Sequence, residues 1–384
     1  MAAQLSASSV RPLDKGTLSR LEHGRQRPAV SALIPICHIY QISADALVER
    51  LELDTELDRA GAPDAEGFEV HDLLRLGRDA LVQHGRKWDA YAYYREAACR
   101  AVDPRQADRA PRTEHERIAA VLNLATVIRS LGKNRLALHE LRELERERVA
   151  CDAERSILLD RMSNCHRCLG EFEAAGRYAD TAIDAARSAG DSRVLAFARF
   201  SRASVAFDRG EAEPGIRELG AAFRTYRDAG DQEGTLQRSP SFEVDALLRL
   251  CEAYFEMGSF EKAGRAALAA RRLAAKHELP SGLAYSELFL GRLDERAGRP
   301  DDAVRRWRRV ATTAAELRNQ RLAFAAEFYV YRNALDAGHA ALARAAQQRL
   351  ERLAPWVPPH LPLLAQLRET AARAGRRETA AEIN

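Results

Sequence analysis

The sequence predicts an all-α chain, an α-solenoid of about seven helical hairpins preceded by a short helical unit. A Gly followed five residues later by a small residue recurs at Gly85/Ala90, Gly132/Ala137, Gly170/Ala175, Gly210/Gly215, Gly258/Ala263, Gly298/Ala303 and Gly338/Ala343. These glycines are 47, 38, 40, 48, 40 and 40 residues apart, a period that marks a repeat array. Ala, Leu, Arg and Glu dominate, all good helix formers, and no run alternates with the period of a strand.

Composition narrows the class. A chain of 384 residues is too long for one core, so two units are expected. The formal net charge of +3 does not by itself announce a nucleic-acid binder. No apolar run reaches the length of a membrane span, and the N-terminus lacks the basic-then-apolar pattern of a secretory signal. Six cysteines, at 37, 99, 151, 165, 168 and 251, are scattered rather than framed for disulfides, which suits a reducing cytoplasm.

Residues 1–60 read as short helices. Asp14 can cap a helix over Lys15–His23, because its carboxylate reaches the free amides of the first turn, and Gly24 ends it. Pro28 and Ala29 open a second helix through Tyr40, with a kink expected at Pro35. Ser43 or Asp45 caps a third, through Ala46, Leu47 and Leu51. Lys15, Arg20, Arg25 and Arg27 cluster here, opposed only by Asp14 and Glu22. That is either a phosphate-neutralising and base-reading face or a solvated helix surface.

Leu18-Ser19-Arg20-Leu21-Glu22, Gly24, Pro28, Ile42, Asp45 and Leu47 resemble the Cro/C1-type (xenobiotic-response-element) helix-turn-helix family. The resemblance implies that Lys15–His23 is the recognition helix. Lys15, Gly16, Thr17 and Arg20 would face the major groove, and Arg25, Gln26 and Arg27 would lie near the DNA backbone. Glu22 is structural in that family. Only MAAQLSASSVRPL precedes Asp14, so the family's first helix has no counterpart and the unit reads as a partial, N-terminally truncated helix-turn-helix.

An acidic stretch, Glu52–Phe68, ends in Gly61-Ala62-Pro63-Asp64-Ala65-Glu66-Gly67 and reads as the joint, with residues 61–68 as the linker. The repeats then occupy Val70–Val102, Glu114–Ala150, Ala153–Gly190, Ser192–Gly230, two units ending near Leu317, and Asn319–Arg352. Asp103–Arg112 and Asp231–Ser241 read as longer loops. Pro355, Pro358, Pro359 and Pro362 end the last repeat, and Leu363–Gly375 is a candidate capping helix before a frayed tail.

The repeat register explains itself physically. A glycine ends each first helix because a left-handed residue there carries no Cβ penalty. Seven residues earlier stands a small side chain where two backbones approach: Ala125, Ser163, Ala203, Cys251 and Gly291. Nine residues after the glycine a bulky residue often fills the space, as at Tyr94, Leu141, Leu219 and Trp307. Leu290-Gly291, Gly298, Ala303, Trp307 and Val310, with Leu250-Cys251, Tyr254, Gly258, Ala263 and Ala270, resemble the tetratricopeptide repeat (TPR). The resemblance covers residues 69–352 and implies a TPR-like superhelix, closest to the long-repeat variants of bacterial regulators. Asp294 departs from it by holding an aromatic position.

Few residues suggest catalysis. Cys165-His166-Arg167-Cys168 lacks the second pair a zinc site needs, and it lies inside a helical repeat rather than after a strand. Buried thiols are the expectation and a redox dithiol the alternative. No phosphate-binding Gly-rich loop, HExxH or Gly-flanked nucleophilic Ser occurs, so no enzyme activity, metal or cofactor is expected. The concave wall, lined by first helices, is the better candidate. The register selects Arg129, Asn164, Arg167, Phe200, Ser204, Phe207, Glu252, Phe255 and Arg292 for it. Asn and Arg suit the backbone and carboxylate of an extended peptide, and the Phe rings suit apolar pockets.

Together these features predict a transcriptional regulator whose solenoid senses a peptide or protein partner and whose helix-turn-helix binds DNA. A homodimer would set the spacing of two recognition helices. The alternative is a TPR interaction scaffold with a vestigial helix-turn-helix.

Overall fold

The computed structural model describes residues 30–61, 63–102, 114–147, 149, 151–232, 240–357 and 363–372. Every regular element among them is helical. They form two compact units, divided after Gly61.

In the first unit, α1 spans Val30–Ile39 and carries Pro35 inside it, and α2 spans Ala44–Ala60. Ser43, not Asp45, is the cap, its hydroxyl accepting from the Ala46 amide at 3.2 Å. Ala46, Leu53 and Leu57 lie on one face of α2 and are buried. The acidic residues Glu52–Ala60 are therefore helix rather than joint, because Leu53 and Leu57 continue the buried face. The candidate DNA contacts Lys15, Gly16, Thr17, Arg20, Arg25, Gln26 and Arg27 lie outside the described residues.

The second unit is a TPR-like α-solenoid of seven hairpins: α3 (Val70–Arg78) with α4 (Lys87–Val102), α5 (Glu114–Ser130) with α6 (Asn134–Arg146), α7 (Asp152–Cys168) with α8 (Phe172–Ala189), α9 (Ser192–Asp208) with α10 (Ala212–Gln232), α11 (Pro240–Glu256) with α12 (Phe260–Lys276), α13 (Pro280–Arg296) with α14 (Pro300–Glu316), and α15 (Gln320–Asp336) with α16 (Ala340–Leu353). A 3-10 turn over Ala354–Trp356 and a further helix, α17, over 363–372 follow. Residues 103–113 and 233–239 lie outside the described residues, and at the edges of the second expected loop Asp231 and Gln232 belong to α10 and Pro240 and Ser241 to α11, each continuing its helix. The charged end of the second repeat stops being helical after Arg146.

All seven register glycines have positive φ, between 65° at Gly85 and 86° at Gly132. In six hairpins the turn closes in the same way. At Gly132, for example, the Gly amide donates to the Arg129 carbonyl and the Lys133 amide to the Ile128 carbonyl, both orphaned by the helix end. The first hairpin differs. Asp79–Gln83 widens into a π-turn, and the Arg86 amide reaches back to Ala80.

Small positions sit against rings at Gly291 and Gly215, as the register predicts, and at Gly77, which the register did not select because the π-turn shifts the first hairpin by one residue. A Cβ on Gly291 would stand 2.4 Å from Trp307 Nε1, one on Gly77 2.6 Å from the Tyr94 ring, and one on Gly215 2.4 Å from Phe207. Trp307 is fully buried, donates to the Leu288 carbonyl at 3.2 Å and stacks on Tyr329. Asp294, at the aromatic position, is buried and answered by Arg299 and Arg306, so an ion network replaces the ring.

Consecutive first helices pack on one another, and no comparable row joins the second helices, so first helices form the concave wall. The superhelix closes on itself. Val82 of the π-turn packs into the core of the fifth and sixth hairpins beside Val244 and Leu279. A Cβ on Gly85 would meet Ser281 Oγ at 2.9 Å, and one on Gly132 would meet the Trp356 carbonyl at 2.9 Å. The first two hairpins thus form a seam with the sixth, the seventh and the C-terminal turn.

Candidate functional site

The concave wall carries a ladder of opposite charges, most of its rungs joining neighbouring first helices and one, Arg249–Glu252, lying within α11. Arg167 on α7 bonds Asp208 on α9 at 2.5 Å, and Asp208 lies 3.6 Å from Arg249 on α11. Arg249 bonds Glu252 at 2.8 Å, and Arg292 on α13 bonds Glu256 on α11 at 2.9 Å. Arg332 on α15 pairs with Glu295 on α13. The hairpin repeat sets these contacts, since residues about 40 apart sit side by side on adjacent first helices. Burial would raise the Asp208 carboxyl, but Arg249 and Arg167 outweigh it and hold it low.

The residues selected from sequence fall into distinct settings. Asn164 donates to the Asp160 carbonyl at 2.9 Å and to Ser201 Oγ at 2.8 Å, and Ser201 in turn donates to the Asp160 carboxylate. Ser204 is buried beside them in the chain. Arg292 lies 4.0 Å from the centre of the Phe255 ring, a cation–π contact, and Phe255 also meets Phe260 edge-on. Phe200 packs with Phe242 between two hairpins, and Phe207 covers Gly215 within its own hairpin. Arg167 and Glu252 are rungs of the ladder. Arg129 stands apart, at the seam.

The seam encloses a cavity of about 420 Å³ where the ends of α3, α5 and α7 face the starts of α11, α13 and α15. Lys87, Arg129 and Arg321 line it, with Asp245, Tyr285 and Cys168. Lys87 Nζ donates to the Ser130 carbonyl at 3.1 Å. Enclosure, followed by the nearby Arg321 and Arg129, pulls Lys87 down to about 7. The cavity wall around Asp245 raises it to about 6 by desolvation, against the pull of Arg249 and Arg129, although the residue keeps access to solvent. Burial would also raise the Cys168 thiol, but Arg167, Arg129 and Arg321 together bring it below its ordinary value.

Cys165 and Cys168 are buried thiols on one helix, neither in a disulfide. His166 between them is buried, 2.5 Å from Glu171 and stacked on Tyr178. Among the described residues no three metal-ligating side chains converge, and no helix is long and apolar enough to cross a membrane.

Lys87, Arg321, Asp245 and Cys168 were not selected from the repeat register. Lys87 opens a second helix and Arg321 sits in the first turn of the last repeat, so neither occupies a concave-wall position of its own hairpin. They meet only because the superhelix closes.

The fold defines a TPR-like α-solenoid. Among solved structures it is similar to a Rap protein determined in complex with competence and sporulation factor, with a TM-score of 0.58, 16% identity, and 87% of this chain and 89% of that one covered. It is also similar to the apo form of RapI, with a TM-score of 0.51, 11% identity, and 75% and 98% covered. No protein-family model matches the chain, and no curated protein matches it in sequence.

Proposed function

We propose that this protein is a ligand-sensing regulator. Its solenoid binds a peptide or protein partner on the concave wall, and its N-terminal segment binds DNA as a Cro/C1-type helix-turn-helix. The observation that carries the sensing half is the closed superhelix, whose inner wall presents hydrogen-bonding Asn and Arg side chains and a polar cavity at the seam. The fold it shares with a Rap protein solved with a bound factor supports the same reading. The DNA-binding half rests on the Ser19-Arg20-Leu21-Glu22, Gly24 pattern and its flanking basic residues.

In this mechanism the ligand prefers one closure of the superhelix, and only that preference gives it control. The change would reach DNA through the spacing of two recognition helices in a homodimer. The experiment is fluorescence anisotropy of the full chain against DNA from its own locus across a salt series, with Arg20→Ala alongside. Binding that weakens steeply with salt and loses sequence preference in the variant is the expected result. Absence of binding, or binding indifferent to Arg20, would leave the solenoid as an interaction scaffold.

A further inference from the structure

Most arginines along the concave wall answer a carboxylate. Arg167, Arg249, Arg292 and Arg332 all do so. The seam breaks this rule. Lys87, Arg129 and Arg321 line one cavity, and none of them forms an ion pair with a described carboxylate. Arg129 Nε is buried with no hydrogen-bond partner, and its guanidinium is favoured, against its burial, by the Cys168 and Cys165 thiols and more weakly by the Asp160 carboxylate. The one acid among the lining residues, Asp245, is solvent-exposed and faces Arg249 first and Arg129 second, so it is shared rather than paired with either.

Clustered cations with no carboxylate in ion-pair contact disfavour one another, and at this seam Lys87 shows it, lowered by Arg321 and Arg129 in addition to its enclosure. Arg129 and Arg321 also lower the Cys168 thiol, together with Arg167 and against its burial. The backbone adds to their field. α13 begins here with Pro280 at its first position and no side-chain cap, and Ser281 and Gly282 border the cavity. The free amides of a first turn favour negative charge. A guanidinium pair with an ammonium is the donor set that oxyanions take, bidentate from Arg and as a point charge from Lys.

We propose that the seam cavity binds an oxyanion, a carboxylate or a phosphate, between Lys87, Arg129 and Arg321, and that this anion latches the solenoid shut. The three cations come from the first, second and seventh hairpins, so one anion bridges the two ends of the superhelix. Without it their repulsion favours opening. This deepens the sensing reading by naming the chemistry of the ligand, and it rests on that reading for its regulatory consequence. The anion belongs either to the C-terminus of a peptide or to a phosphorylated small molecule.

The test is thermal unfolding of the full chain titrated with inorganic phosphate at constant ionic strength, with Arg321→Gln, Arg129→Gln and the ladder variant Arg292→Gln. The expected result is a midpoint that climbs with phosphate for the parent and Arg292→Gln. Arg321→Gln and Arg129→Gln should bind phosphate about 10- to 100-fold more weakly, while their ligand-free midpoints are unchanged or higher because repulsion is relieved. Lower ligand-free midpoints with undiminished phosphate shifts would make the two arginines structural and overturn the proposal.

The second measurement is affinity enrichment from a random heptapeptide pool with free or amidated C-termini. Retention of the free pool alone, lost in Arg321→Gln, identifies a peptide carboxylate. Phosphate shifts without peptide retention identify a phosphorylated ligand. Equal retention of both pools, unaffected by Arg321→Gln and without a phosphate shift, would keep the sensing reading and overturn the anion site. Neither retention nor a shift would overturn the anion site and count against peptide sensing.

Discussion

Trp356 meets Trp88 edge-on, with ring centroids 6.5 Å apart and planes at 80°, although one lies in the C-terminal turn and the other opens the first hairpin's second helix. Lys133 Nζ stands 4.6 Å from the centre of the same Trp356 ring. This contact joins the two ends of a repeat array, which in an open solenoid would never touch. It makes the seam a structural feature as well as the site of the cation cluster.

Trp356→Ala removes that contact and is expected to lower stability by about 1–3 kcal/mol, the worth of a large, partly buried ring. Urea unfolding measures the loss. Small-angle scattering should show a larger radius of gyration, and an unchanged radius would mean that the seam holds without the ring.

Gly291→Ala and Gly176→Ala should move stability in opposite directions. A Cβ at Gly291 collides with Trp307, which is fully buried and cannot retreat, so a loss of about 1–3 kcal/mol is expected. Gly176 lies inside α8 with nothing near its absent Cβ, so Ala there should add up to about 1 kcal/mol through helix propensity. Melting the two variants beside the parent checks both signs.

Arg167→Ala leaves Asp208 with Arg249, 3.6 Å away, as its remaining ion-pair partner and with the weaker pull of Arg321. The expected cost is about 1–3 kcal/mol, because a largely enclosed carboxylate loses its closest hydrogen bond. Combining Arg167→Ala with Asp208→Asn should recover part of it. Simple additivity of the two losses would argue against coupling between them.

Asp245 gives the protein a pH signature. Its folded value, about 6, lies above the ordinary 3.8, so between those limits the folded state holds a proton that the unfolded chain releases. This contribution to stability is complete below about 3.8 and is lost as pH rises through about 6. Asp245→Asn should flatten the profile in that window. Urea unfolding at intervals across it reads the slope directly.

The arginines around Cys168 make its thiolate more accessible than that of Cys251, which burial pushes up to about 12. With the exposed Cys99 replaced by Ser, a small thiol reagent at neutral pH should modify Cys168 before Cys251. Arg129→Ala should slow the reaction at Cys168 and leave Cys251 unchanged. Mass spectrometry of digested samples follows each site.

The helical class, the hairpin period and the turn glycines were legible in the amino-acid sequence, because they depend on contacts within about one repeat. Gly132 adopts a left-handed φ and Gly291 admits Trp307 for reasons that a local register contains. The extent of α2 was missed, since Leu53 and Leu57 bury a face inside a run that looks like acidic linker. The register put Arg167 and Arg292 on first helices, but could not tell that Asp208 and Glu256 would already answer them, because pairing depends on how adjacent hairpins are rotated. Only the tertiary structure brought Lys87, Arg129 and Arg321 into one cavity. Superhelix closure sums a small rotation over seven hairpins, and no single repeat encodes that sum.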